Sequence, residues 1–139
     1  MLDYIKNLLP RLQQYSKTLD HIELFVDQPW ILRFGTGERY LYIFQRGGNL
    51  VVTINGIVTK GNWEYIAPAK ALLITLSGKQ FLFRQAFVED GLMFLKVDGT
   101  VDEPWLFTNE RKIPDPSDYY IKEYLTNIQV RIMGLQHLN

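Results

Sequence analysis

The chain has 139 residues, with 15 lysines and arginines against 15 aspartates and glutamates, so no net field gathers phosphate backbones or anionic lipid heads at its surface. Neither nucleic acid nor a membrane is expected as a partner. Its 47% hydrophobic and 14% aromatic content lies far from disorder, and the absence of cysteine excludes disulfides, thiolate metal sites and cysteine nucleophiles, leaving a single packed domain over residues 1–139.

Residues 3–26 carry apolar side chains at helical spacing, with Leu8, Leu12, Tyr15, Leu19, Ile22 and Val26 on one stripe. Pro10 lacks the N–H owed to the carbonyl four residues back, so a kink or a fresh start is expected there. Asp20 can cap a second short piece running to Val26, and Pro29 ends the segment either way. Asp3, Lys6 and Arg11 break the apolar run that a signal peptide needs, and no stretch approaches the ~20 apolar residues of a membrane span. A soluble cytoplasmic protein is the expectation.

From Trp30 the period changes to two. Trp30–Phe34, Arg39–Gln45, Asn49–Ile54, Ile57–Tyr65, Ala71–Leu76, Lys79–Gln85, Leu92–Val97 and Trp105–Asn109 read as strands. Gly47-Gly48, Asn55-Gly56, Ser77-Gly78, Asp90-Gly91 and Asp98-Gly99 separate them at intervals that favour antiparallel pairing of neighbours, with Asn55-Gly56 the strongest hairpin signal. The predicted fold is mainly β: a meander of seven or eight strands over 29–109, forming a barrel or strongly curved sheet.

Some strands are apolar on both faces. Tyr40, Tyr42 and Phe44 oppose Leu41 and Ile43, while Leu92 and Phe94 oppose Met93, Leu95 and Val97, so one face needs a cover and the terminal amphipathic helices are the available material. Val58, Lys60, Asn62 and Glu64 instead predict an open outer face on the fourth strand. After the break Ile113-Pro114-Asp115-Pro116, Ser117 or Asp118 can cap a helix over 117–128 with Tyr120, Ile121, Tyr124, Leu125 and Ile128 as its stripe. Residues 129–139 keep apolar side chains without a clear period, and Gly134 weakens a helical reading. The runner-up fold, a pleckstrin-homology-like arrangement, accounts for neither the N-terminal helix nor an eighth strand.

Catalytic templates are absent from the chain: it has no G-x-S-x-G, P-loop, G-x-G-x-x-G or H-E-x-x-H pattern. His21 beside Asp20 and Glu23 could serve as a base oriented by a carboxylate, but without a second histidine or a nucleophile nearby it reads as a surface residue. His137 lies in the tail. The acidic run Asp98 to Glu103 offers too few oxygens at the wrong spacing for a calcium loop, so no metal and no cofactor is expected. The basic residues are dispersed among acidic neighbours, as on a solvated surface.

The strand aromatics are more informative: they either fill a closed barrel or line an apolar cavity. In the second case Trp63, Tyr65, Phe83 and Phe94 are the candidate ligand-binding residues.

Pro29-Trp30, Tyr42-Ile43-Phe44, Asn55-Gly56, Gly61-Asn62-Trp63-Glu64-Tyr65, Lys96-Val97-Asp98-Gly99 and Asn109-Glu110 through Lys112-Ile113-Pro114-Asp115 together resemble a family of short uncharacterised bacterial proteins, over almost the whole chain. That resemblance implies no activity. Gly61-x-Trp63 within a meander is similar to bacterial lipocalin-like domains, although lipocalins carry the pair near the start of the barrel and here it falls on the fourth strand. The second resemblance implies binding of a small apolar ligand. From the residues themselves, the expected function is that of a non-enzymatic interaction module with a protein partner or a second copy of itself; an apolar-ligand carrier is the alternative.

Overall fold

The alternation that begins at Trp30 becomes a run of antiparallel strands that closes on itself. The computed structural model describes residues 2–16, 22–33, 38–99, 104–115 and 117–137. In chain order the strands are β1 (Trp30–Arg33), β2 (Arg39–Phe44), β3 (Asn49–Ile54), β4 (Ile57–Ile66), β5 (Ala71–Leu76), β6 (Lys79–Val88), β7 (Leu92–Val97) and β8 (Trp105–Asn109). Each pairs with the next, and β8 returns to β1 with Trp30 opposite Asn109 and Leu32 opposite Phe107. The result is a closed eight-stranded antiparallel meander with no free edge.

Turn chemistry sets the register. Asn55 and Gly56 have φ of 52° and 80°, and Ser77 and Gly78 have 52° and 76°, the positive values that two-residue hairpin loops matching strand twist require. These loops place Ile57 opposite Ile54 and Lys79 opposite Leu76. Once those pairs are fixed, the period of two fixes every inward side chain on β3 to β6 up to Gln85.

Between Gln85 and Phe87 the pairing of β6 with β7 shifts by a bulge. The extra residue reverses the alternation, so Phe81 and Phe83 face the barrel interior while Phe87 packs outside with Leu92 and Phe94. Ser16 closes the gap in the ladder: its Oγ accepts the Val88 N–H at 2.9 Å and the Gln85 side-chain amide at 3.2 Å.

The apolar residues sort into two layers. The interior holds Trp30, Phe44, Leu50, Leu72, Phe83, Met93 and Phe107. The outer layer joins Phe87, Leu92 and Phe94 to Leu8, Leu9 and Leu12 of α1 (Leu2–Leu12) and to Ile121, Leu125 and Ile128 of α2 (Asp118–His137). The helices therefore cover β6 to β8. Leu41 and Ile43 on β2, expected beneath a helix as well, stay partly exposed and belong to neither layer. The outer face of β4 is open, with Val58, Lys60, Asn62 and Glu64 exposed.

Both terminal segments differ from their sequence reading. The helix expected over 3–26 runs through Pro10 as one element, with no fresh start there, then stops at Leu12 and passes into a 3-10 turn at Gln13–Tyr15. Its second piece is one 3-10 turn, Ile22–Leu24; the cap assigned to Asp20 lies outside the described residues. At the other end α2 continues past Ile128 to His137, through Gly134. Extending a formed helix costs far less than starting one, so the weak period of 129–137 suffices once 118–128 has docked.

Candidate functional site

The predicted ligand residues do not form one surface. Trp63 and Tyr65 face inward on the half of β4 that ends the barrel near residues 22–28; the Trp63 ring meets Phe25 and Phe44 edge-on at 5.3 and 6.2 Å, and its indole N–H donates to the Gln45 carbonyl at 2.8 Å. Phe83 sits at 1% exposure in the middle of the interior, packed edge-on against Trp105 at 4.9 Å. Phe94 points the other way, into the outer layer against Phe87. Alternation on β7 separates Phe94 from Met93 and Leu95, and only the closed topology says which set faces inward.

One end of the barrel is sealed. Phe25 and Val26 are buried there, and the Trp30 indole N–H donates to the Phe25 carbonyl at 2.9 Å, fixing the plug to the first strand. Asp27 N–H donates to the Phe44 carbonyl at 2.8 Å, which ties the plug to β2 as well. Arg46 holds Glu23 at 2.9 Å on the exposed rim and keeps that carboxyl below its usual pKa.

A second arrangement lies outside the barrel, where sequence reading singled out nothing. Glu89 follows β6 and is buried at 7% exposure. Its Oε1 accepts the Gly91 N–H across the tight turn and the Tyr124 hydroxyl of α2 at 2.6 Å, while Arg131, about two turns further along α2, stands 3.6 Å from Oε2. Gly91 is required for this approach, since a Cβ there would lie 2.4 Å from the Tyr124 hydroxyl. Burial first, and the hydrogen bond to Glu89 second, raise the Tyr124 pKa well above the usual phenol value, so it stays a donor. Asn109, also buried, braces the same turn: its N–H donates to the Gly91 carbonyl at 2.9 Å and its side-chain amide reaches the Asp90 carbonyl at 3.3 Å and Gln28 at 3.2 Å.

The tyrosine held in this way lines an open cleft of about 460 Å³ between residues 112–115 and α2. Tyr120, Glu123, Tyr124 and Asn127 form its helical wall at i, i+3, i+4 and i+7, and Ile113 and Pro114 form the other. Ile121, Leu125 and Ile128 face the barrel, so α2 uses one stripe to dock and the adjacent stripe to line the cleft. Tyr119, 70% exposed, extends the aromatic surface at its edge. A smaller hollow of about 260 Å³ lies over Ile31, Leu41 and Thr53 on the outer face of β1 to β3, bridged by the Arg39–Glu110 ion pair.

Other residues weighed for chemistry are not gathered. His21, Asp102 and Glu103 lie outside the described residues, His137 is the last residue of α2, and Asp98 pairs with Arg84 at 2.5 Å. Among the described residues no group of three or more histidines and carboxylates could hold a metal ion, and no helix is long and apolar enough to cross a membrane. No protein-family profile matches the chain, and no curated protein matches it.

Proposed function

We propose that this chain is a non-enzymatic interaction module that receives a segment of a partner protein in the cleft between residues 112–115 and α2. The observation that carries the reading is the clamp on Tyr124. Glu89, Gly91 and Arg131 fix the position of an aromatic side chain whose ring lines an open cleft, and binding sites gain affinity when contact residues are ordered before the partner arrives. The cleft volume is within the range of ligand sites, and its mixture of tyrosines, a proline, Glu123 and Asn127 suits an extended peptide better than a buried substrate. The cytoplasm is the compartment we propose, since the fold rests on packing without disulfides. The resemblance to short bacterial, lipocalin-like proteins enters the reading as a proposal about ancestry and not about use.

Selection of displayed random peptides against the folded chain tests this. The peptides recovered should lose about tenfold or more in affinity on Tyr120→Ala, in line with loss of an aromatic anchor, and keep it on Glu64→Ala in the open face of β4. Peptides that ignore Tyr120→Ala, or a selection that yields none, would rule out the cleft as the binding site.

A further inference from the structure

On the reading of the α2 cleft as a peptide site, we infer that the segment it receives is a proline-rich stretch in the polyproline II conformation, with a lysine or arginine beside its prolines. The backbone around the cleft selects that conformation. Closure of the barrel leaves no strand edge to pair with. On the wall formed by 112–114, the N–H groups of Lys112 and Ile113 both donate to the Asn109 carbonyl, at 3.0 and 2.8 Å, and Pro114 has none. Beyond its first turn α2 commits its N–H groups within the helix. A β-strand entering here would leave its carbonyls without backbone donors. A polyproline II segment makes no such demand, because its backbone needs no ladder and its prolines carry no N–H.

The side chains supply what such a segment requires. Tyr120 and Tyr124 stand one turn apart on α2, with Cβ atoms about 5–6 Å from each other, so pyrrolidine rings meet two aromatic side chains on one wall and Pro114 on the other. Glu89 fixes Tyr124, and Tyr119 braces Tyr120 through an edge-on contact at 5.1 Å. The Tyr120 hydroxyl and the Asn127 side-chain amide make no hydrogen bond among the described residues, which leaves them as donors for the carbonyls of the segment. From Tyr120 to Asn127 the helical wall runs about 10 Å, close to the ~9 Å of one polyproline II turn.

Charge adds the basic residue. Asp115 and Glu123 line the cleft against the one ammonium of Lys112, while Arg131 is turned to Glu89 and Arg111 to Gln28. Asp115 Oδ1 accepts the Ser117 N–H at 3.1 Å, which fixes that carboxylate in place. Neither Asp115 nor Glu123 is in an ion pair among the described residues, so the imbalance favours a cationic side chain.

The test selects displayed random peptides on the full chain, reads their sequences and measures their affinities by fluorescence anisotropy. The peptides recovered should carry prolines at i and i+3 with a lysine or arginine beside them. Changing those prolines to alanine should weaken binding about tenfold, through lost contact and lost preorganisation. Glu123→Gln on the exposed side of α2 should cost about threefold and reduce the salt dependence, whereas Glu64→Gln removes the same charge from β4 and should change neither. Peptides that need Tyr120 but lack such prolines, or that keep their affinity when the prolines become alanine, would overturn the inference and leave the cleft a peptide site. Indifference to Glu123→Gln would overturn the basic residue. Peptides indifferent to Tyr120→Ala would remove the cleft as a peptide site, and the inference with it.

Discussion

Gly91 is the residue on which the outer site turns. An added methyl would stand 2.4 Å from the Tyr124 hydroxyl and 3.1 Å from Glu89 Oε1, so Gly91→Ala should cost about 1–3 kcal/mol in denaturant unfolding through overpacking. In a Tyr124→Ala background the same change should cost clearly less, and a double-mutant cycle reads the difference. Tyr124→Phe alone should lose about 1–3 kcal/mol, because it leaves a buried carboxylate oxygen one donor short. Tyr42 gives the protein an alkaline limit. Burial first, and the charge of Tyr40 second, raise its pKa from 10.0 to about 12, which favours the protonated form in the folded state. That contribution, about 3 kcal/mol in all, is fully present below pH 10 and is lost as pH rises towards 12, so Tyr42→Phe should flatten the fall in stability over that window. None of these roles was legible locally. Glu89 and Tyr124 are 35 positions apart, and Glu89-Asp90-Gly91 reads from sequence as a turn and nothing more.

At the level of elements, the sequence was informative where period and turn chemistry agree. Asn49–Ile54, Ala71–Leu76, Leu92–Val97 and Trp105–Asn109 form as read, since each is bounded by residues that stop a strand for a stated reason. The misreadings come from helices and from parity. The end of α2 has no period of its own and is helical because the turns before it are docked, while Phe83 and Phe94 part to different layers because only closure of the barrel decides which face of β7 looks inward. The docked stripe of α2 should dominate its energetics: Leu125→Ala should cost about 2–5 kcal/mol and loosen the cleft, whereas Val130→Ser on the exposed side should stay within about 0.5 kcal/mol. Thermal and denaturant melts of the two variants decide this.

At the scale of the whole molecule, closure divides the protein into an interior held by aromatic packing, a sealed end, a partly open end and an outer layer carrying two helices. Phe83→Ala should cost about 3–5 kcal/mol, as expected of a filled core and not of a loose cavity wall. Among the described residues the large exposed hydrophobics fall at two places, Ile57 and Val58 at the partly open end and Tyr119, Tyr120 and Val130 on α2. Composition could foretell neither, because both depend on which surfaces the closed barrel leaves uncovered. On the function proposed above, the second place receives a partner protein. The most direct measurement puts a photo-crosslinking amino acid at Tyr119 beside the cleft, and separately at Glu64 on the open face of β4, in cells that make the protein naturally. A discrete adduct of larger mass is expected from position 119 and none from position 64. No adduct at either position, or the same adducts at both, would contradict it.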